Sequence, residues 1–489
     1  MITWGISANS HNAALAVFDD DHLIFASESE RFSRIKNDPN LHHDLIEYAK
    51  TIGGEPDLVC WYEKPWLKTV RQVFAGQEFE YHNVKKYLNR YSIDAPIKTI
   101  KHHHSHAAAG YYTSTFTDAC IVVIDAIGEF ETLTIWKAKG KTLTKVYSLS
   151  YPDSLGLFYS AMTQRCGLKP NEEEYILMGM AAHGDYSVLL RDITKDFIYF
   201  PTDYRHPVLF KQNLHRGCNW WKSELQDSKQ LFDIAAATQK IYEICFVRVL
   251  QFAQQLVESE NLILMGGCAL NCAANPKIFD YFNHAWIMPA PGDNGSAIGA
   301  VLAHKQKRIK WNGPYLGYDI SPRKLNREIV EYLQINKMCG VARGPAEFGP
   351  RALGNRSLLA DPRDPFIKDK INEIKKREPF RPFAPAILEE HADRYFLMPT
   401  KKSPYMQYTA RCLRPDLFPA IVHKDGTSRV QTVGPNDNPK FRELLEMWYT
   451  KTGCPMLLNT SLNVKGQPMV NDLADSMTWA STYGLPVFN

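Results

Sequence analysis

The stretch ACIVVIDAIGE, residues 119–129, decides the fold. A continuous β-branched apolar run closing on an acid and a glycine turn is the pattern of a strand buried on both faces, and it carries its carboxylate to the edge of a sheet. NLILMGGCALNCAANPKIF (261–279) and HAWIMPAPGDNGSAIGAVLAHKQ (284–306) lead us to expect that arrangement twice more: apolar strand, glycine, polar turn, helix. Three such units predict an α/β domain whose ligand lies where strands end and helices begin. Upstream, residues 1–7, 13–18 and 22–27 alternate β-rich runs with the turns SANSHN and DDDH, which predicts an antiparallel meander. Residues 230–257 have helical periodicity and few breakers, and predict one long covering helix. A tract near 305–322 turns basic and rich in Gly and Pro. It places a boundary between a domain of residues 1–315 and a smaller, Arg- and Pro-rich domain of residues 316–489. No internal repeat is visible along the chain.

At 489 residues the chain is too long for one ordinary core. Apolar content of 45% with 22% charged residues excludes disorder, and no run of about 18 apolar residues exists to cross a membrane. The N-terminal MITWGISANSHNAALAVF lacks the basic and apolar regions of a secretion signal, so a cytoplasmic protein is expected. Ten scattered cysteines without a CxxC pair then read as reduced thiols. The net charge of +4 permits an anionic substrate without demanding nucleic acid.

Candidate chemistry concentrates in a few places. In KHHHSHAAAGYY (101–112), a helix would project His102 and His106 from one face one turn apart, with His103 and His104 pointing elsewhere. Two imidazoles at that spacing can share a metal ion, though spare surface histidines are an equal reading. Asp293, between a strand and an Ala/Gly-rich helix, is the natural third ligand, the alternative being that Asp293 or Asn294 only caps that helix. Two histidines and one carboxylate suit iron(II), and less often zinc or manganese. Gly266 and Gly267 would let a backbone approach phosphate, or simply make a tight turn. His11, on the turn after the first strand, could act as a general base or hold a substrate oxygen, and could equally be a plain turn histidine. ARGPAEFGPRALGNRSLLADPR (342–363) sets Arg343, Arg351, Arg356 and Arg363 among glycines and prolines, and KKREPFRPFAPAIL (375–388) adds Lys375, Lys376, Arg377 and Arg381. With few acids nearby, these read as a nucleotide or acyl-phosphate pocket rather than a solvated face. LLNTSLNVKGQP (457–468) offers Thr460, Ser461 and Asn463 as small donors to it.

These stretches, with EEEYILMGMAAHG (172–184), in this order over nearly the whole chain, resemble the O-carbamoyltransferases of the nodulation and antibiotic-tailoring type. The resemblance implies an actin-like, ATP-binding N-terminal domain similar to the tRNA threonylcarbamoyl transferase, followed by a smaller YrdC-like α/β domain. The smaller domain would turn carbamoyl phosphate and ATP into carbamoyl-adenylate and pyrophosphate. The larger would pass the carbamoyl group to an acceptor hydroxyl of a small molecule, sugar or nucleotide. By the same resemblance Lys375 and Arg381 grip phosphate, and Arg429, Ser461 and Asn463 line the pocket's remaining wall. His102, His106 and Asp293 would hold iron, with Mg²⁺ allowed beside ATP. His11 matches a histidine of the transfer step, Asp125 a cleft carboxylate, and Gly267 and Asn271 the nucleotide loop.

The chemistry agrees with that division, because a mixed anhydride with AMP hydrolyses in water and must be kept from it. Either His11 or Asp125 would take the acceptor's proton. The chain departs from the family at Asn12, where His-Asp is usual, and at Ala126, where glycine is usual. It also ends soon after MVNDLADSMTWASTYG, which suggests a trimmed member with an unusual acceptor. Aromatics interleaved with bases in VKKYLNRY (84–91) and HRGCNWWKSE (215–224) leave open a hydroxymethylated base in DNA or RNA as that acceptor. A third reading is an actin-like metal and nucleotide binder without transfer activity. A homo-oligomer is compatible with the sequence, and no membrane partner is expected.

Overall fold

The computed structural model describes residues 1–489 except 77, 78, 80, 81, 203, 204 and 322–324. The chain forms two compact units, residues 1–26 with 39–311 and residues 27–38 with 312–489. The division at Trp311/Asn312 lies a little upstream of the expected 315/316, and the excursion of residues 27–38, a half-charged stretch, is not anticipated from the sequence.

Unit 1 is α/β. The expected meander forms as β1 (Ile2–Ser7), β2 (Ala14–Asp19) and β3 (His22–Glu28), and β4 (Leu58–Trp61) and β5 (Ile97–Thr99) complete a sheet of order β3-β2-β1-β4-β5. β1 runs antiparallel to β2 and parallel to β4, and β4 is parallel to β5. After helix α1 (His102–Thr113) come β6 (Asp118–Gly128), β7 (Glu131–Lys139) and β8 (Thr142–Ser150). Helix α2 (Ser228–Leu256) follows, then β9 (Asn261–Met265), β10 (His284–Trp286) and helix α3 (Ser296–Lys305). The second sheet has the order β10-β9-β6-β7-β8, with β6 antiparallel to β7 and parallel to β9. Each sheet is therefore a three-stranded meander extended from its first strand by two parallel strands. This duplication corrects the absence of a repeat in the sequence, and it is consistent with the actin-like architecture the resemblance implies. The two copies share order and direction, properties fixed by backbone pairing and buried patterning rather than by residue identity.

The expectation of three strand–glycine–helix units needs correction. β6 turns back into β7, and β9 runs into short 3₁₀ turns at Gly267–Leu270 and Asn275–Asp280. Only the third unit reaches an α-helix. In the second, Asn271 Oδ1 accepts from the Ala274 N–H, Asn275 Nδ2 donates to the Ala269 carbonyl, and Pro276 has no N–H to give. Side chains that satisfy the backbone locally compete with the helical ladder. α2 forms as expected, opened by a capping box between Asp227 and Gln230. α3 presses on α1, where a Cβ on Gly299 would stand 1.9 Å from the Ser105 carbonyl oxygen.

Unit 2 is built on one mixed sheet. Its strands are β11 (Met338–Ala342), β12 (Arg356–Ala360), β13 (Ala384–Leu388), β14 (Gln431–Val433), β15 (Met456–Ser461) and β16 (Val487–Phe488), in the order β14-β13-β15-β12-β11-β16. Helices α4 (Asn326–Asn336) and α6 (Pro439–Thr452) bury Ile329, Leu333, Phe441 and Trp448 in one apolar cluster, and helix α5 (Ile367–Ile374) contributes Ile367 and Ile371 to a second. Residues 27–38 enter this unit as a strap. Arg31, fully buried, donates to the carbonyl of Gly349 at 2.9 Å, and the Gly349 N–H donates to Glu28 Oε1 at 2.6 Å. Arg34 donates to the carbonyls of Met469 and Pro468 and pairs with Asp475 at 3.1 Å. All ten cysteines are free thiols, and among the described residues no helix is long and apolar enough to cross a membrane.

Candidate active site

α1 is buried on almost every side, and its first two turns carry the imidazoles of His102 and His106 inward. Ser105 Oγ donates to the Tyr62 carbonyl at 2.8 Å, which fixes the helix against the end of β4. His102 and His106 meet at Nε2–Nε2 3.1 Å. Asp125 Oδ2 stands 3.2 Å from His102 Nε2 and 3.5 Å from His106 Nε2, and Asp293 Oδ1 is 3.4 and 3.5 Å from the same two atoms. All four side chains are buried. A first-row divalent ion holds N and O donors at about 2.0–2.2 Å, which separates neighbouring donors by about 3.0 Å in octahedral and about 3.4 Å in tetrahedral geometry. Both imidazoles stand at that spacing from each other and from both carboxylates, and all four donors lie within 4.8 Å of one another, so His102, His106, Asp125 and Asp293 could hold one such ion. His103 and His104 face elsewhere, to Thr134 Oγ1 at 3.0 Å and onto the Trp136 ring.

Asp125 joins the expected trio because of an irregularity in β6. Its pairing with β7 runs from Asp118↔Lys139 to Ile124↔Leu133 and then slips before Gly128↔Glu131. A bulge of this kind re-aims side chains. Asp125 Oδ1 accepts from the Ala126 N–H at 2.8 Å and the Gly267 N–H at 3.4 Å, which turns Oδ2 toward the imidazoles. Gly266, at φ +89°, makes this possible, since a Cβ there would meet the Ile124 carbonyl oxygen at 2.2 Å. Asp293 lies in a 3₁₀ turn and makes no capping bond, so its carboxylate is left for the cluster. Burial works against charge on all four groups and is outweighed. The carboxylates hold His102 well above the usual imidazole range and raise His106, and the imidazoles hold both carboxyls well below theirs.

Other expected residues also belong to unit 1. Asn271 exchanges hydrogen bonds with the Gln239 amide at 3.0 and 3.1 Å. His11 is exposed on the β1–β2 turn, beside Ser10 and Asn9, whose carbonyl accepts from buried Lys68 at 2.6 Å. Sequence reasoning passed over Glu129, at the β6–β7 turn. It is buried, its φ is +60°, and its Oε1 accepts from the Lys64 N–H at 2.5 Å. Burial pushes its carboxyl up to about 7. The only sequence signal was an acid directly after the glycine turn.

In unit 2, Lys375 is buried and its Nζ donates to the Ser461 carbonyl at 2.5 Å, the Asn463 carbonyl at 2.9 Å and Asn463 Oδ1 at 3.0 Å. Burial, with Arg377 and Arg381 nearby, holds its ammonium well below the usual lysine range. Arg381 pairs with Glu378 at 3.1 Å. The arginines do not converge as the sequence suggested. Arg343 donates to Asn326 Oδ1 at 2.6 Å and the Lys440 carbonyl, and Arg356 to five backbone carbonyls. Arg363 pairs with Asp361 at 2.8 Å. Arg351 and Arg429 remain partly exposed. Of the interleaved aromatics, Tyr87 and Trp221 are buried, with Tyr87 accepting from the Leu41 N–H and Trp221 donating to Asp196, whereas Trp220 is exposed.

Residues 61–302 match the carbamoyltransferase N-terminus family and residues 330–488 the carbamoyltransferase C-terminus family. The chain is a member of the carbamoyltransferase family. Among its relatives, nodulation protein U of Sinorhizobium fredii is 36% identical, over 96% of this chain and 95% of that one. Uncharacterized protein sll1178 of Synechocystis is 31% identical, over 95% and 92%. A third relative, the 3'-hydroxymethylcephem-O-carbamoyltransferase of Amycolatopsis lactamdurans, is 27% identical, over 97% and 95%. The chain is accordingly an enzyme of the carbamoyl-transferring class, which removes the reading as a binder without transfer activity.

Proposed function

We propose that this carbamoyltransferase converts carbamoyl phosphate, ATP and one water to carbamoyl-adenylate, phosphate and pyrophosphate, and moves the carbamoyl group to a hydroxyl of a small molecule. The observation that carries this reading is the buried cluster of His102, His106, Asp125 and Asp293 at metal-donor spacing. Two histidines and two carboxylates suit a divalent ion, iron(II) among them. Such an ion, when bound, supplies a Lewis acid for phosphate and carbonyl oxygens. The chain's own groups would do the rest. In unit 2, Lys375 is positioned by Ser461 and Asn463 to meet phosphate, with Arg381 and Arg429 as further cations. In unit 1, the Gly266–Gly267 turn and Asn271 would hold the nucleotide end of the adenylate, and the loop bearing His11 would orient the acceptor. The 3'-hydroxymethylcephem in the name of the Amycolatopsis relative supports a small-molecule acceptor.

The test is carbamoyl-phosphate-dependent release of pyrophosphate from ATP by the full chain loaded with iron(II). Lys375→Ala should reduce release at least 100-fold. His106→Ala should leave release intact and stop carbamoyl transfer to a panel of hydroxyl compounds, including a 3'-hydroxymethylcephem, followed by mass. Release unchanged in Lys375→Ala, or normal transfer in His106→Ala, overturns the assignment.

A further inference from the structure

Every member of the metal-donor cluster is spent on its neighbours, which leaves the proton of the incoming hydroxyl without a receiver. Asp125 has both oxygens engaged, and Asp293 faces the two imidazoles. His11 is exposed on a turn. Glu129 is placed differently. Its turn abuts the cluster, since a Cβ on the preceding Gly128 would stand 2.4 Å from the His102 ring. From the other side it receives the Lys64 N–H, three residues past the end of β4, and Tyr62 in that same segment lies 5.2 Å ring to ring from His102. Only Oε1 is bonded. Oε2 has no hydrogen-bond partner among the described residues. Its residue is 5% exposed and is held in a left-handed backbone conformation that a glutamate seldom adopts. Strain of that kind is kept where the surroundings fix a side chain for a task.

We propose that Glu129 is the catalytic base of carbamoyl transfer, its Oε2 receiving the proton of the attacking hydroxyl. This rests on the adenylate reading above. The acceptor O–H proton moves to Oε2, the acceptor oxygen bonds to the carbamoyl carbon, and the carbon–oxygen bond to the adenylate phosphate breaks, its electron pair leaving on AMP. The Lys64 N–H keeps Oε1 fixed while Oε2 is protonated. The charged and titratable groups around this carboxyl are Lys64, His102, Glu63 and Glu131. With burial, they leave it a stronger base than an exposed glutamate, in the range where proton transfer is most efficient near neutral pH.

The test compares two probe nucleophiles on carbamoyl-adenylate formed in place by the full, metal-loaded chain. Water needs a base to remove its proton; hydroxylamine attacks through a nitrogen lone pair without one. In Glu129→Gln, which preserves shape, AMP release with water should fall about 100-fold or more. With hydroxylamine it should change less than about threefold, and pyrophosphate release should be unaltered. Glu129→Asp, which keeps the carboxylate, should recover part of the water rate, and it serves alone if the glutamine variant does not fold. Equal water rates in wild type and Glu129→Gln overturn the assignment, as does an equal loss with both nucleophiles, the mark of a structural role. Absence of pyrophosphate release from wild type instead overturns the underlying reading, and this assignment with it.

Discussion

Single residues decide the chemistry of the cluster, and four of them act as one unit. Removing one imidazole leaves three donors and a buried carboxylate without its partner, a costly arrangement in the interior. An ion held by the folded chain alone stabilises it by about 2.7 kcal/mol at 100 times its dissociation constant. Cobalt(II) at that excess should therefore raise the melting temperature of the wild-type chain, measured by circular dichroism, and should leave that of His102→Ala unchanged. A rise in the variant equal to that of the wild type would place the ion elsewhere. His102, His106 and Asp293 were legible in the sequence because helical spacing and a strand-to-helix turn are local patterns. Asp125 was read as a cleft carboxylate without its partners. Its aim depends on a slipped register and on the Gly267 N–H, which lies 142 residues away. Glu129 was invisible for the same reason, since its backbone strain and its bond to Lys64 exist only in the folded chain. Arg343 and Arg356 misled because a buried guanidinium binds backbone carbonyls as readily as phosphate.

Elements hold those residues in register. α1 and α3 are pressed together at Gly299, where even a methyl group has no room. Gly299→Ala should destabilise the chain by about 1–3 kcal/mol, the usual cost of overpacking a rigid contact. It should also weaken cobalt binding, because α1 carries two donors and α3 begins just after a third. Thermal melts and cobalt absorbance would show both effects; a stable variant with normal binding would mean that the helices part without consequence. The long helix and the first meander were legible from periodicity. The turns after Gly267 were not, because asparagine capture of the backbone overrides a pattern that otherwise reads as helical.

At the scale of the whole molecule, residues 27–38 belong to a unit whose remaining chain starts at Asn312. Half of these twelve residues are charged, unlike the apolar strands before them, but charge alone does not mark a strap, which is defined by what it meets. Arg31 and Arg34 tie it to carbonyls of the C-terminal unit. Residues 312–489 expressed alone should therefore lack a cooperative thermal transition, and a peptide of residues 27–38 added in excess should restore it. Fully cooperative melting of the fragment by itself would show that the strap contributes little.

On the ribosome the same arrangement imposes an order of events. Residues 27–38 leave the exit tunnel early, and the first of their partners follows roughly 270 residues later, which at about 5–20 residues per second is a delay of roughly 15–55 seconds. Through that interval a buried-to-be arginine and glutamate sit in water beside a maturing first sheet. The C-terminal half closes around a segment that was made first and used last.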